Sequence, residues 1–377
     1  MSTGRQIQFA KERELTAVVR HAAGAPSSRP WVRNTCRVRL STLRTAVPAT
    51  LVALSLVLAG CGGDDTKKPE ADKSSVAPVP EEPATWPLTG LEAKEGQSVE
   101  LDHPVVVTKI DNSTASSPQI GLSKADLVVE ELVEGGITRL AAFYYSQLPA
   151  NIGPVRSMRA SDIGIVSPVN GVIATSGAAN ETIPRINKAK IKFFQEGGPG
   201  FYRDNSRRAP YNLFTDLKKV AKAAEDGKAE RPADYLPWGT EADFTNGQPA
   251  GTIQADFGSH TTSWQFQGGK YVNSNSNAAQ GDRFQPDTVL VIRVKITDAG
   301  YRDPAGNFVP ESHFVGKGKA QLFHNGQVVE GTWAKDKLAS AVTLAAADGT
   351  PLKVPAGKVW IELVPVDANN GSVTFGK

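Results

Sequence analysis

The chain has 377 residues, 40% of them hydrophobic, with 42 Lys and Arg against 39 Asp and Glu, 35 Gly, 25 Pro and two Cys. That length suits two domains or one large one. The apolar share excludes a wholly disordered chain, and Gly and Pro are too few and too irregular for collagen. A core of this size needs neither metal nor disulfide for its stability.

Charge is unevenly spread. Residues 1–60 hold nine Lys and Arg and two Glu, whereas residues 61–377 hold 33 Lys and Arg against 37 Asp and Glu. The basic pI thus belongs to the front segment, and no nucleic-acid partner is expected. Arg33, Arg37, Arg39 and Arg44 precede an uncharged, mostly apolar stretch of 14 residues, Ala46 to Ala59. This is shorter than the roughly 20 residues that span a bilayer as a helix. It ends in Leu58-Ala59-Gly60-Cys61, followed at once by Gly62, Gly63, Asp64 and Asp65. Basic run, apolar run and small residues are the parts of a secretory signal. The Leu-Ala-Gly-Cys ending resembles the bacterial lipobox. That resemblance implies cleavage before Cys61, diacylation of its thiol and attachment to the outer face of the cell membrane. Each buried CH₂ of such chains adds about 0.8 kcal/mol of membrane affinity. A short membrane helix with a buried thiol is the alternative, and the abrupt polar tail speaks against it. Residues 1–32 are mixed in charge and do not fit a signal, which suggests a translation start further along. Cys36 lies in the leader, so no thiol beyond Cys61 remains for disulfides, Cys-rich zinc sites or a nucleophile.

Residues 61–87, with Pro69, Pro78, Pro80, Pro83 and Pro87, read as an extended, disordered tether. Residues 88–235 read as an N-terminal α+β domain. Pro104 to Ile110 is β-branched and suits a buried strand. Asp126 to Val133 and Ile137 to Ser146 flank Gly135-Gly136 and predict a hairpin. A helical turn is expected at Ser161–Val166, a strand at Gly171–Thr175, and helices over Asn180–Ile191 and Asp216–Glu225, capped by Asn180 and Asp216. Residues 226–249 read as a join. Residues 250–377 read as a mostly β domain, with a hairpin in Phe257–Tyr271, a polar loop at Asn273–Gln280 and a strand over Asp287–Thr297. A second hairpin turns at Asn325-Gly326, and a last strand covers Lys358–Val364. The expected fold class is α+β in two lobes with mainly antiparallel sheets, helices mixed into the first lobe and the second mostly β.

No Gly-rich phosphate loop, His-Glu-x-x-His, Gly-x-Ser-x-Gly or Ser-x-x-Lys occurs. His103, His260, His313 and His324 are scattered. Neither a metal nor any other cofactor is expected. Polar residues concentrate instead in five segments between 108 and 213. These are Lys109-Ile110-Asp111-Asn112; Glu130-Glu131-Leu132-Val133-Glu134-Gly135-Gly136-Ile137-Thr138-Arg139; Gly153-Pro154-Val155-Arg156-Ser157-Met158-Arg159; Ala160-Ser161-Asp162; and Tyr202-Arg203-Asp204 running into Arg207-Arg208-Ala209-Pro210-Tyr211-Asn212-Leu213.

These segments resemble the YerB-like lipoprotein family, bacterial lipoproteins of uncharacterised function. The likeness covers residues 88–215 well and 285–365 more loosely. Tyr211 departs from the family pattern, which has His there, and the Asn-rich 273–280 loop is a second departure. The resemblance implies a two-lobed α+β fold and an extracytoplasmic location, and brings no activity with it.

Alternate residues of the Asp126–Glu134 strand share a face, so Glu131 interrupts the apolar side with Leu127, Val129 and Val133. A buried carboxylate needs a partner, and Arg139, Arg156 and Arg159 are the candidates. On one reading Arg156 and Arg159 bind Glu131 and Asp162 and hold the loops. On the other, the cluster is a ligand cleft: Arg203, Arg207 and Arg208 take an anion, and Asp111 and Glu134 accept hydrogen bonds, with Asn112, Arg139, Asp204 and Asn212 beside them. Glu130 and Glu134 read as solvated charges. Three functions follow: an envelope lipoprotein binding a wall fragment or partner protein, a carboxylate-dependent glycan hydrolase using Asp111 and Glu131, or a structural assembly factor.

Overall fold

The computed structural model describes residues 83–225, 227–228 and 230–377. Cys61, the leader and the tether up to residue 82 lie outside the described residues. Packed structure begins slightly before Leu88: Thr85 bridges Glu92, and Trp86 packs edge-on against Tyr145 at 6.1 Å.

In the first half, β1 (Val106–Asp111), β2 (Leu127–Leu132), β3 (Thr138–Tyr144), β4 (Val172–Ala174) and β5 (Phe193–Phe194) form one side of a large sheet. β2 and β3 are the expected hairpin, and Gly135 and Gly136 in its turn both adopt φ +70°. This left-handed region favours glycine. The three expected helical segments form but are short, so helix content is low: α1 (Asp162–Val166), α2 (Thr182–Lys188) and α3 (Leu217–Ala224) are five, seven and eight residues long. Asp216 caps α3 by accepting from Lys218 N, as expected, whereas α2 starts after Glu181 rather than Asn180.

The two expected lobes share this sheet. The Thr288–Arg302 strand pairs in parallel with the Val359–Pro365 strand, which pairs in parallel with β2. Across the seven strands from Thr288–Arg302 to β5, six run the same way and β3 alone opposes them. A mixed sheet with a parallel centre thus replaces the mainly antiparallel expectation there. The physical reason is burial on both faces, which gives continuous apolar runs such as Val289-Leu290-Val291-Ile292 rather than alternation. The antiparallel strands Gly316–His324, Gln327–Lys335 and Thr343–Ala346 finish the edge. Asn325 (φ +48°) and Gly326 (φ +71°) make the turn that the sequence signals.

One face of the sheet packs on Ile165, Val166, Ile186, Tyr235 and Leu236, which bring in α1, α2 and the segment that joins the halves. The opposite face packs on α3 and on a four-stranded sheet of Thr252–Asp256, Thr261–Gln267, Lys270–Asn273 and Ser372–Gly376.

Candidate functional site

Register places Asp111 opposite Arg139, and Arg139 opposite Glu131. Three charges therefore sit in a row across β1, β3 and β2, on one face near the C-terminal ends of the co-directional strands. In open α/β sheets this end is where ligands gather. The neighbouring row is Lys109, Ala141 and Val129. Ala141 is small, and Lys109 reaches across it. Its Nζ donates to Glu131 Oε1 and to Asp162 Oδ1, both at 2.7 Å, with all three side chains fully buried. The second oxygen of Asp162 accepts from Arg159 N at 2.7 Å and fixes the start of α1. Burial, and then the Asp162 charge, push the Glu131 carboxyl up, while Lys109 opposes them. Glu131 and Asp162 are thus bound by Lys109, not by the guanidinium groups of Arg156 and Arg159. The sequence reading missed Lys109 because arginine was the expected partner.

An outer tier lies nearer solvent. Glu134 accepts from Arg159 Nε at 2.8 Å and also from Arg159 Nη2, and Arg139 Nη2 stands 3.7 Å away. Burial alone would raise Glu134, but Arg159 and Arg139 outweigh it and hold the carboxyl at about 2. Burial and the Arg159 charge lower Arg139 to about 10. Arg139 also donates to the Ser157 carbonyl at 3.0 Å. Asp111 Oδ2 accepts from Arg156 Nε at 3.1 Å, and its Oδ1 from Ser113 N at 2.8 Å. The Arg156 side chain is 27% exposed and lies over the Tyr211 ring at 5.5 Å. Ser157 and Ser176 hydroxyls lie 3.2 Å apart beside it in the chain path.

Several expected members lie elsewhere. Asn112 turns to the opposite face, donating to Glu130 at 3.1 Å and to Thr138 at 2.9 Å. Glu130 is fully buried and not a solvated charge, and Glu134 is only 14% exposed. The three loop arginines do not converge. Arg203 forks onto Glu196 at 2.6 and 2.7 Å and donates to Asn212 at 2.6 Å. Arg207 donates to the Ser116 and Pro118 carbonyls at 2.9 and 2.7 Å and lies over Phe214. Arg208 is exposed, with no ion pair among the described residues. Asp204 is occupied by Ser206 N at 2.9 Å and Oγ at 2.6 Å. With Glu131 sealed and Asp111 1% exposed, these two carboxylates do not present themselves to a glycan. Among the described residues no cluster of His, Cys, Asp and Glu suits a metal, and no helix is long and apolar enough to cross a membrane.

Comparison with known proteins gives a consistent family. Residues 88–230 match the N-terminal domain, and residues 252–361 the C-terminal domain, of a family described as "Protein of unknown function (DUF3048)". The chain is 28% identical over 302 residues to "Putative lipoprotein YerB" of Bacillus subtilis (strain 168), spanning 77% of this chain and 89% of that protein. The crystal structure of the Bacillus subtilis YerB protein matches with a TM-score of 0.63 at 24% identity, over 77% of this chain and 99% of that one. At that identity the structural match establishes the fold. The chain belongs to the YerB-like lipoprotein family, with both of its domains present.

Proposed function

We propose that this chain is a lipoprotein, anchored through Cys61 to the outer face of the cell membrane, that binds an anionic group of an envelope ligand at Arg156. The inner tier is structural: Lys109 pairs with one oxygen each of Glu131 and Asp162, out of reach of solvent. The outer tier differs. Among the described residues the Arg156 guanidinium donates to protein through Nε alone, to Asp111, and it is the most exposed of the four cations in the cluster. That free side of a planar fork is the single observation carrying the reading, because a guanidinium pairs bidentately with carboxylate or phosphate. Tyr211 backs it with a ring, and the Ser157 and Ser176 hydroxyls supply neutral polar contacts. The ligand class is a wall fragment or an envelope protein bearing such a group.

Two measurements test it. Cys61→Ser should either leave the protein unprocessed or release it from membranes in fractionation; normal maturation and partitioning would end the anchor claim. Wall fragments with free carboxylates or phosphates should raise the melting temperature of the wild type. A lost charge-assisted contact of about 1.5–3 kcal/mol predicts roughly 10- to 100-fold weaker binding by Arg156→Ala. Arg203→Ala, which breaks the surface pair with Glu196 and a hydrogen bond to Asn212 away from Arg156, should bind normally. Equal binding by all three proteins would remove Arg156 from the site.

A further inference from the structure

On the other face of β2, Glu130 stands in register with Glu362 of the parallel Val359–Pro365 strand. Both carboxyls are fully buried. We propose that Glu130 and Glu362 hold one proton between them, as a carboxyl–carboxylate pair sealed where the two halves of the chain meet, with His260 as its link to solvent.

The hydrogen bonds point to this. Glu130 Oε1 accepts from Thr138 Oγ1 at 2.6 Å, Thr262 Oγ1 at 3.0 Å and Asn112 Nδ2 at 3.1 Å. Glu362 Oε1 accepts from Trp264 Nε1 at 2.8 Å. The remaining oxygen of each, Oε2, is buried without a donor. Donors therefore satisfy one oxygen of each carboxyl, and two acceptors without donors are left on adjacent, in-register side chains. One added proton turns that pair of acceptors into a donor and an acceptor. Two ionised carboxylates in contact inside a protein are strongly unfavourable, and such pairs titrate as a unit with one proton retained.

The charged and titratable groups acting on the pair are few. The Val359–Pro365 strand contributes Glu362, β2 contributes Glu130, and the turn before the Thr261–Gln267 strand contributes His260, itself influenced by Asp256. Among the described residues neither carboxyl forms an ion pair with Lys or Arg. His260 Nε2 lies 3.4 Å from Glu130 Oε1, and its side chain is 22% exposed, so it touches both the pair and water. Burial and the Glu130 charge push the Glu362 carboxyl well up. Burial also acts to raise Glu130, but His260 and Thr138 outweigh it and bring that carboxyl down. The proton thus rests on Glu362, and on release it passes to water past His260.

The test is infrared spectroscopy of the detergent-purified full chain carrying ¹³C-labelled glutamate. At neutral pH, where ordinary carboxyls are ionised, the wild type should show a protonated-glutamate C=O band. Glu362→Gln should remove it. His260→Gln, a change at a half-open position, should leave the fold intact and make the band persist to higher pH, because the nearby cation that favours ionisation is gone. No protonated-glutamate band at neutral pH in the wild type overturns the proposal. So does a band that neither Glu362→Gln nor His260→Gln alters, since that proton would belong to another glutamate.

Discussion

Glu130 and Glu131 are chain neighbours, both sealed from solvent, and the two faces of the sheet treat them in opposite ways. Glu131 is given a cation, Lys109, which it shares with Asp162. Glu130 is given three neutral donors and a second carboxyl. The difference follows what covers each face. The Glu131 side opens at its rim, so charge can step outward from Lys109 through Arg139 and Arg159 to Arg156, each partner less buried than the last tier. The Glu130 side lies beneath the four-stranded sheet, where Trp264 and Thr262 close over it. An open rim suits ion pairs and ligands; a closed one suits two carboxyls that share a proton.

The comparison breaks most sharply at Lys109. Lys109→Met leaves two buried carboxylates without a cation, and removing one partner of such a pair costs about 3–5 kcal/mol. Urea unfolding should show the midpoint falling with an unchanged slope, and adding Glu131→Gln should recover part of the loss. A mild effect of the single change would mean that Glu131 is already neutral, like Glu362 on the opposite face.

Glu134 sharpens the same side. Glu134→Gln should cost roughly 1.5–3 kcal/mol, the range for hydrogen bonds to charged groups. The carboxyl sits at about 2 when folded, below its value in the unfolded chain. Its stabilisation is therefore complete above the unfolded pKa of about 4.3 and is lost as pH falls from there toward the folded value. The urea midpoints of wild type and Glu134→Gln should converge in that acid window, and parallel curves would refute the Arg159 clamp.

Much of this fold was readable because its signals are local. The Gly135-Gly136 and Asn325-Gly326 turns fix two hairpins, and Asp216 announces α3. Parallel pairing was not readable, since β2 meets the Val359–Pro365 strand across more than half the chain and no turn records it. The continuous apolar run Val359-Trp360-Ile361 was a signal of two-sided burial, yet it reads equally as an ordinary strand. In the candidate site, the motif segments did identify Asp111, Glu134, Arg139, Arg156 and Arg159, which the fold brings together. Lys109 was passed over because a planar arginine fork was the expected partner of a buried carboxylate. Glu362 and His260 could not be linked to Glu130 without knowing the sheet order. The loop arginines were grouped by sequence proximity, whereas Glu196 and the Ser116 and Pro118 carbonyls had already claimed two of them.

On the closed face, Trp264→Phe keeps the ring and deletes the Nε1 donor to Glu362. A buried acceptor left unsatisfied costs about 1–3 kcal/mol, so the urea midpoint should drop by a corresponding amount. An unchanged midpoint would mean that Glu362 Oε1 finds another donor, and with it that the carboxyl is less tightly held than Glu131.

The smallest effect belongs to His260, whose partial exposure screens its interaction with Glu130. His260→Gln should cost below about 1 kcal/mol. Its pH dependence is more telling than its size. Burial works to lower the imidazole, but hydrogen bonding and the charge of Glu130 outweigh this and raise it in the folded state. Its contribution is thus complete below the unfolded value of about 6.5 and fades as pH rises through the folded one. Glu130, lowered in the folded state, runs the opposite way: its contribution holds above its unfolded value and is lost in acid. The gap between wild type and His260→Gln should therefore be widest between those limits and narrow as pH rises through the raised imidazole value. A gap independent of pH would make His260 a neutral hydrogen-bond partner, and the closed face would then differ from the Lys109 face in having no cation at all.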